Sequence, residues 1–364
     1  MIKINQRLLL GFDWLLFLAV LVLSCAGIAA IWSTTDGTSL NSYFGKQVAY
    51  LCCALVAFAV LLYVDYHFFS DFITFIYLAG LAVLGLVLII GQSIHSNKSW
   101  INIGIFSFQP SELMKILVII ALAKYYSELD QEYLGFREYL TGGLIVFVPM
   151  LLVILQGDLG TAITFFPVYA VLTCLAGIRR KHLVLMLIIV AVALPLAWFL
   201  LRGYQQGRIE NVFNPASDPR RMGYQTIQSE IAIGSGKFLG KGFKQGSQGH
   251  LGFLPARHTD FVFAVLSEEK GFVGSITILG LFLLATARLF RTAREAKDKI
   301  GALIVVGVLA LLLFHVLINI GMVVGLLPIA GIPLPFVSAG GSSLISFYMA
   351  MSVCMNIRMR RYVN

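Results

Sequence analysis

LPARHTDFVFAVLSEEKGF, residues 254–272, sets His258, Asp260, Glu268 and Glu269 beside strongly apolar neighbours. Taking such groups out of water without partners is costly. Either they occupy a wet loop with no special task, or they mark a place where chemistry happens at a membrane surface. The rest of the chain settles the setting. Its 364 residues are 59% hydrophobic and only 12% charged, with a mean hydropathy of +0.87. An ordinary soluble protein carries about 25% charged residues. The bilayer is therefore the solvent, and apolar runs recurring from end to end make residues 1–364 one integral membrane domain.

A span needs about 20 apolar residues. The runs at 11–32, 44–64, 72–91, 111–126, 139–155, 160–177, 183–201, 271–290, 301–325 and 340–357 meet that need, the fourth and fifth being short. The expected fold is an all-α polytopic membrane protein of about ten transmembrane helices. A large extracytoplasmic loop, 202–270, separates spans seven and eight. It is rich in glycine at 234–252 and carries aromatic and aliphatic residues throughout. It is expected to fold back on the membrane with short helices such as 224–233. The run from Phe12 to Trp32 lacks a small-residue cleavage site and reads as a retained span.

The net charge of +9 resides in short loops, a pattern of membrane orientation and not of nucleic-acid binding. Lys3 and Arg7, Arg179 to Lys181, Arg288 to Lys299 and Arg358 to Arg361 fall on one side. By the positive-inside rule both termini are cytoplasmic. Cys25, Cys52, Cys53, Cys174 and Cys354 lie in apolar segments without metal-ligand spacing, so no protein metal site is expected.

Several constellations could carry chemistry. Asp260 stands near the outer surface, where partial desolvation or the neighbours His258 and Arg257 would tune its pKa, as in many general bases. The plainer reading is a helix cap, with Thr259 or Asp260 opening a helix at FVFAVL and Glu268 and Glu269 solvated. On composition alone the cap is favoured. In FQPSELMK, 108–115, Glu112 and Lys115 share a helical face at the mouth of an apolar run. The alternative there is capping, with Ser111 as cap or Pro110 opening the helix. Asp158 in QGDLGT, 156–161, reads as the cap of a tight turn. Between 319 and 347, Pro328, Pro333 and Pro335 predict an irregular re-entrant connection. Ser338, Ser342 and Ser343 either line a cavity there or satisfy freed backbone groups. The basic residues Arg208, Arg220, Arg221, Lys237, Lys241 and Lys244 of the outer loop suit a pyrophosphate. Attraction to anionic headgroups is the favoured alternative.

Taken together, FQPSELMK at 108–115, DLGT at 158–161, GYQTIQSEIAIGSGKFLGKGFKQGSQ at 223–248, LPARHTDFVFAVLSEE at 254–269 and GLLP…GIPLPFVSAGGSS at 325–343 resemble the SEDS family (shape, elongation, division and sporulation) over essentially the whole chain. The resemblance is greatest to its RodA branch, which the short segments flanking the first and last spans also fit. It implies a ten-span peptidoglycan glycosyltransferase that polymerises lipid II, the undecaprenyl-pyrophosphate-linked disaccharide-peptide, on the outer face of the bacterial cytoplasmic membrane. The role implied is cell elongation and rod shape. The family's key carboxylate falls on Asp260 and its intramembrane acid–base pair on Glu112 and Lys115. Supporting or substrate-binding candidates are Gln109, Ser111, Arg208, Arg220, Gln225, Gln228, Lys241, Gln248, His258, Ser338 and Ser342. Four positions depart from the usual pattern: Gly157 for Pro, Ser99 for Arg, Lys237 for Gly and Ala339 for Tyr.

The chemistry implied needs one base. A sugar on lipid pyrophosphate already has a good leaving group, stabilised by basic side chains or a divalent cation such as Mg or Mn. Only the acceptor 4-hydroxyl requires activation, and attack opposite the α-linked pyrophosphate yields a β-1,4 link. The implied partners are a class B penicillin-binding protein, which crosslinks the product, other elongation-complex membrane proteins and membrane lipid. The competing readings are a lipid II flippase or other transporter, which would show broken helices in paired halves, and a non-catalytic scaffold.

Overall fold

Asp13 accepts a hydrogen bond from Leu16 N at 3.2 Å and so caps the first apolar helix, α1 (Trp14–Ser33). The computed structural model describes residues 11–361 apart from 36, 41, 95–96, 104–105, 132, 180, 186–187, 189–190, 193–194, 196–198, 200–202 and 214–221. After α1 come α2 (Tyr43–Tyr63), a short α3 (Tyr66–Asp71) and α4 (Ile73–Ile90). Then follow α5 (Pro110–Ser127), α6 (Phe136–Leu155), α7 (Leu159–Ile163) and α8 (Phe165–Leu175). The outer loop holds α9 (Gly203–Phe213), α10 (Met222–Gly236) and α11 (Ser247–His250). The chain closes with α12 (Val262–Arg294), α13 (Lys299–Val323) and α14 (Gly341–Arg360).

Six of these, α1, α2, α4, α6, α12 and α13, are long and apolar enough to cross a membrane. Helices α5 and α14 have spanning length but more polar sequences, and α7 with α8 fill the expected sixth span as two pieces. For the expected span 183–201, positions 183–185, 188, 191, 192, 195 and 199 are helical, and the remainder lies outside the described residues. The expected helix at 224–233 is α10.

Two features were not expected. The strands β1 (Gln92–Ile94), β2 (Asn97–Ile103) and β3 (Phe106–Phe108) form a three-stranded antiparallel sheet. The alternation of INI, 101–103, and FSF, 106–108, fits that pleat. And α12 starts well before the expected span at 271, because it is two helices joined at Gly271 (φ 64°, ψ −158°).

That joint is built by backbone. Phe272 N and Val273 N donate to Lys237 O and Phe238 O at 2.8 and 3.2 Å. Conversely Lys241 N and Gly242 N donate to the freed Glu268 O and Glu269 O at 3.0 and 3.1 Å. Segment 237–242 thus completes the hydrogen bonding that the break costs the helix. The approach excludes side chains: a Cβ on Gly271 would stand 2.3 Å from Gly240 N, and one on Gly240 would stand 2.1 Å from Glu269 O.

Ion pairs gather one end of the bundle. Arg288 and Arg358 reach Asp13 at 2.8 and 3.3 Å, Arg291 and Arg361 pair with Glu295, and Arg360 reaches Asp65 at 2.6 Å. Tyr66 OH donates to Asp298 Oδ2 at 2.5 Å. The described chain therefore begins and ends at the same, basic end. Lys3, Arg7 and Arg180 lie outside the described residues. The opposite end carries the sheet, α9 to α11 and the proline-rich segment 324–340.

Candidate active site

The HTD turn is held from both sides of its backbone. Ala256, in the left-handed region at φ 52°, offers one carbonyl to Thr259 N, Asp260 N and Phe261 N at 3.1, 3.1 and 3.3 Å. Three successive carbonyls, His258 to Asp260, are each taken by a donor, two from the proline-rich segment and one from α13. His258 O accepts from Ala339 N at 2.8 Å, Thr259 O from Ser338 Oγ at 2.6 Å and Asp260 O from Asn319 Nδ2 at 3.1 Å. Ser338 Oγ also accepts from Leu334 N at 2.9 Å. Ser338 therefore satisfies freed backbone groups, one of the two roles left open by the sequence.

The helix opens later than the capping expectation has it. The N-cap of α12 is Phe261, with no side-chain cap. Thr259 Oγ1 instead donates back to Ala256 O at 3.3 Å, and Asp260 is half-buried.

His258 stacks on Tyr43 with ring centroids 4.6 Å apart, and its Nδ1 lies 3.0 Å from Thr34 Oγ1. Burial, and secondarily the Arg257 charge, push its pKa down to about 4. The ring is thus neutral at physiological pH. Arg257 Nε approaches Nε2 at 3.5 Å while Nη1 donates to Gly249 O at 2.7 Å.

Glu268 and Glu269 are not solvated; they are 0% and 3% exposed. Glu268 accepts from Lys241 Nζ at 2.7 Å, Ser247 Oγ at 3.2 Å, Gln248 N at 3.0 Å and Gly249 N at 3.2 Å. Glu269 accepts from Lys244 N at 3.1 Å. A buried carboxylate survives only when so surrounded. The pair clamps segment 241–249, and with it Arg257, onto α12. Lys241 is committed to this clamp, which also uses the backbone of Gln248.

At the start of α5, Pro110 occupies the first turn and Gln109 is the N-cap residue without a side-chain cap bond. Ser111 is therefore inside the helix and not its cap. Gln109 joins three elements instead: its N donates to Ser342 Oγ at 2.9 Å, and its Nε2 donates to Asp158 Oδ2 at 2.7 Å. Asp158 caps α7 as expected, through Thr161 N at 3.0 Å. Gly157 before it has φ 88°, which proline cannot adopt, so the departure from the family pattern goes with a different turn. Ser342 Oγ donates to Ser107 O at 3.1 Å, another backbone-satisfying hydroxyl.

Within the bundle, Lys115 Nζ donates to Glu112 Oε1 at 2.8 Å, with both side chains at most 3% exposed. A third member was not singled out from the sequence: His315 Nε2, 3.3 Å from Lys115 Nζ. Asn319, which holds the Asp260 carbonyl, was missed as well. Both are lone polar residues in an apolar run, and their i, i+4 spacing was the available signal.

The other candidates stand apart from this group. Arg208 lines a cleft with Asn211, Thr226, Gly325, Leu327 and Pro328. Gln225 and Gln228 are half-buried on α10. Arg220 and Arg221 lie outside the described residues. Among the described residues no three His, Cys, Asp or Glu side chains converge as a metal's ligands.

A family model of cell cycle proteins, that of FtsW, RodA and SpoVE, matches residues 6–363. The chain belongs to this family. It is 35% identical to the peptidoglycan glycosyltransferase MrdB of Escherichia coli, over 95% of this chain and 92% of that one. It is 32% identical to the peptidoglycan glycosyltransferase RodA of Treponema pallidum (96% and 98% covered). Identity is 36% to the stage V sporulation protein E of Bacillus subtilis (99% of both). Among solved structures it superposes on a chain of a peptidoglycan synthase complex with a TM-score of 0.83 at 29% identity, covering 97% and 99%. On the rod shape determining protein RodA of Thermus thermophilus the TM-score is 0.73 at 27% identity, covering 97% and 98%. This FtsW/RodA/SpoVE fold is a polytopic helical membrane fold.

Proposed function

We propose that this chain is a peptidoglycan glycosyltransferase that polymerises lipid II for cell elongation, with Asp260 as the general base. The observation that carries the reading is the anchoring of three successive carbonyls, His258 to Asp260, in a member of a family whose relatives bear that activity. A carboxylate used as a base must be held within hydrogen-bond reach of the proton it takes. Here the backbone that carries it is fixed while the side chain keeps access to solvent.

In the proposed step Asp260 takes the proton of the acceptor's 4-hydroxyl as that oxygen attacks the anomeric carbon of the donor. The bond to the pyrophosphate breaks, the lipid pyrophosphate leaves with the electron pair, and the centre inverts to give a β-1,4 link. Arg257 keeps the neighbourhood cationic, while His258, neutral at physiological pH, adds no charge to it. Arg208 and Arg220 are proposed to attract the pyrophosphate, and a divalent cation riding on it belongs to the same proposal. The complex that coordinates polymerization and crosslinking supports a crosslinking partner, a class B penicillin-binding protein. The basic end of the bundle supports cytoplasmic termini.

The test is glycan-strand formation from purified lipid II by this protein with that partner. The wild type is compared with Asp260→Asn, which keeps the shape and removes the base. Polymer from the first and none from the second is expected. Equal polymer from both would overturn Asp260 as the base, and lipid II movement across vesicles without polymer would turn the reading to a transporter.

A further inference from the structure

His315 and Asn319 lie one turn apart on α13 and address the same stretch of chain. His315 Nδ1 is 3.2 Å from Pro333 O, and Nε2 is 3.3 Å from Lys115 Nζ. Asn319 Nδ2 donates to Ile332 O at 2.8 Å and to Asp260 O at 3.1 Å. The two side chains are 1% and 0% exposed. An ammonium only donates and a carbonyl only accepts. The imidazole therefore carries its proton on Nδ1, gives it to Pro333 O and accepts from Lys115.

Consecutive carbonyls of the proline-rich segment, which has no helix to satisfy them, are thus held by one face of α13. The same face holds the backbone of Asp260. A continuous chain of polar contacts runs from Glu112 through Lys115 and His315 to Pro333, and from Ile332 through Asn319 to Asp260. We infer that His315 and Asn319 are positioning residues for Asp260, and that through them the buried Glu112–Lys115 pair sets where the Asp260 backbone sits. The inference rests on the glycosyltransferase reading. Neither residue is given a chemical step; each acts through the placement of the carboxylate.

The test is steady-state polymerisation of lipid II by the purified full-length protein with its crosslinking partner, each variant also measured for thermal unfolding. Asn319→Asp keeps size but removes the donor to Asp260 O. His315→Phe removes both contacts, whereas His315→Gln can still donate to Pro333 O and accept from Lys115. Misplacement of a catalytic group by a distant change can cost as much as about a hundredfold. The expected result is kcat lower by about tenfold to a hundredfold in Asn319→Asp and His315→Phe, with KM near wild type and most of kcat restored in His315→Gln. A wild-type kcat in either damaging variant, a change confined to KM, or His315→Gln as damaged as His315→Phe would overturn it. If Asn319→Asp does not fold, the two His315 variants decide alone. Asp260→Asn, run alongside, separates the failures. Inactive Asp260→Asn with fully active Asn319→Asp sinks only the positioning role, whereas active Asp260→Asn removes the base assignment itself.

Discussion

Lys241 Nζ lies 2.7 Å from Glu268 Oε1, an interaction that ties the outer loop to a carboxylate with no exposed surface. Removing one partner of a buried pair costs about 3–5 kcal/mol. Because Lys241 is 29% exposed, Lys241→Met is expected at the lower end, about 3 kcal/mol. Glu268→Ala should cost more, since Lys241, Ser247 and two backbone amides all lose their acceptor. Thermal unfolding of both variants checks the order, and a milder Glu268→Ala would count against the clamp.

Inside the bundle the Glu112–Lys115 pair makes a sharper prediction. Lys115→Met leaves a carboxylate buried and uncompensated, and a loss of about 3–5 kcal/mol is expected. Adding Glu112→Gln to that variant should recover part of the loss, because no uncompensated charge then remains. Expression level and melting temperature in detergent read this directly. A double variant as unstable as the sum of the singles would argue that the pair is not a unit.

His258 gives stability a pH dependence. Its pKa of about 4 lies below the ordinary 6.5, so between those values the unfolded chain takes up a proton that the folded chain refuses. Stability should therefore fall as pH drops from about 6.5 toward 4. His258→Gln removes that contribution, and its melting temperature should decline less over the same range. Parallel declines would show that His258 does not titrate this way.

Lys237 occupies the left-handed region at φ 49°, at a position where the SEDS resemblance makes glycine common. A side chain there is strained, whereas glycine is not. Relief of the left-handed penalty, less the entropy that glycine adds to the unfolded chain, means that Lys237→Gly is expected to stabilise by about 0.5–1 kcal/mol. A lower melting temperature would refute this.

Individual apolar helices were legible because each depends on one local property, a run of apolar residues of bilayer length. Thus 44–64 and 301–325 came out as α2 and α13 within two residues. Asp158 was legible for a similar reason, since a cap serves amides close by in sequence. What composition could not supply was long-range pairing. Glu268 looked like a solvated helix residue, and its burial is made tolerable by donors 19 to 27 residues upstream, Lys241, Ser247 and the amides of Gln248 and Gly249. Ser338 could not be assigned because its acceptor, Thr259 O, belongs to a segment 79 positions away. His315 and Asn319 were passed over because each alone is an unremarkable interruption of an apolar run.

The joint at Gly271 is straddled by the outer loop. Segment 237–242 is bonded to Glu268 and Glu269 above the break and to Phe272 and Val273 below it, and Ser275 Oγ donates across it to Ser267 Oγ at 2.8 Å. The loop is thus a splint for the two parts of α12. A neighbouring membrane helix that leans on the lower part therefore pulls on the outer loop as well as on the helix that carries the HTD turn.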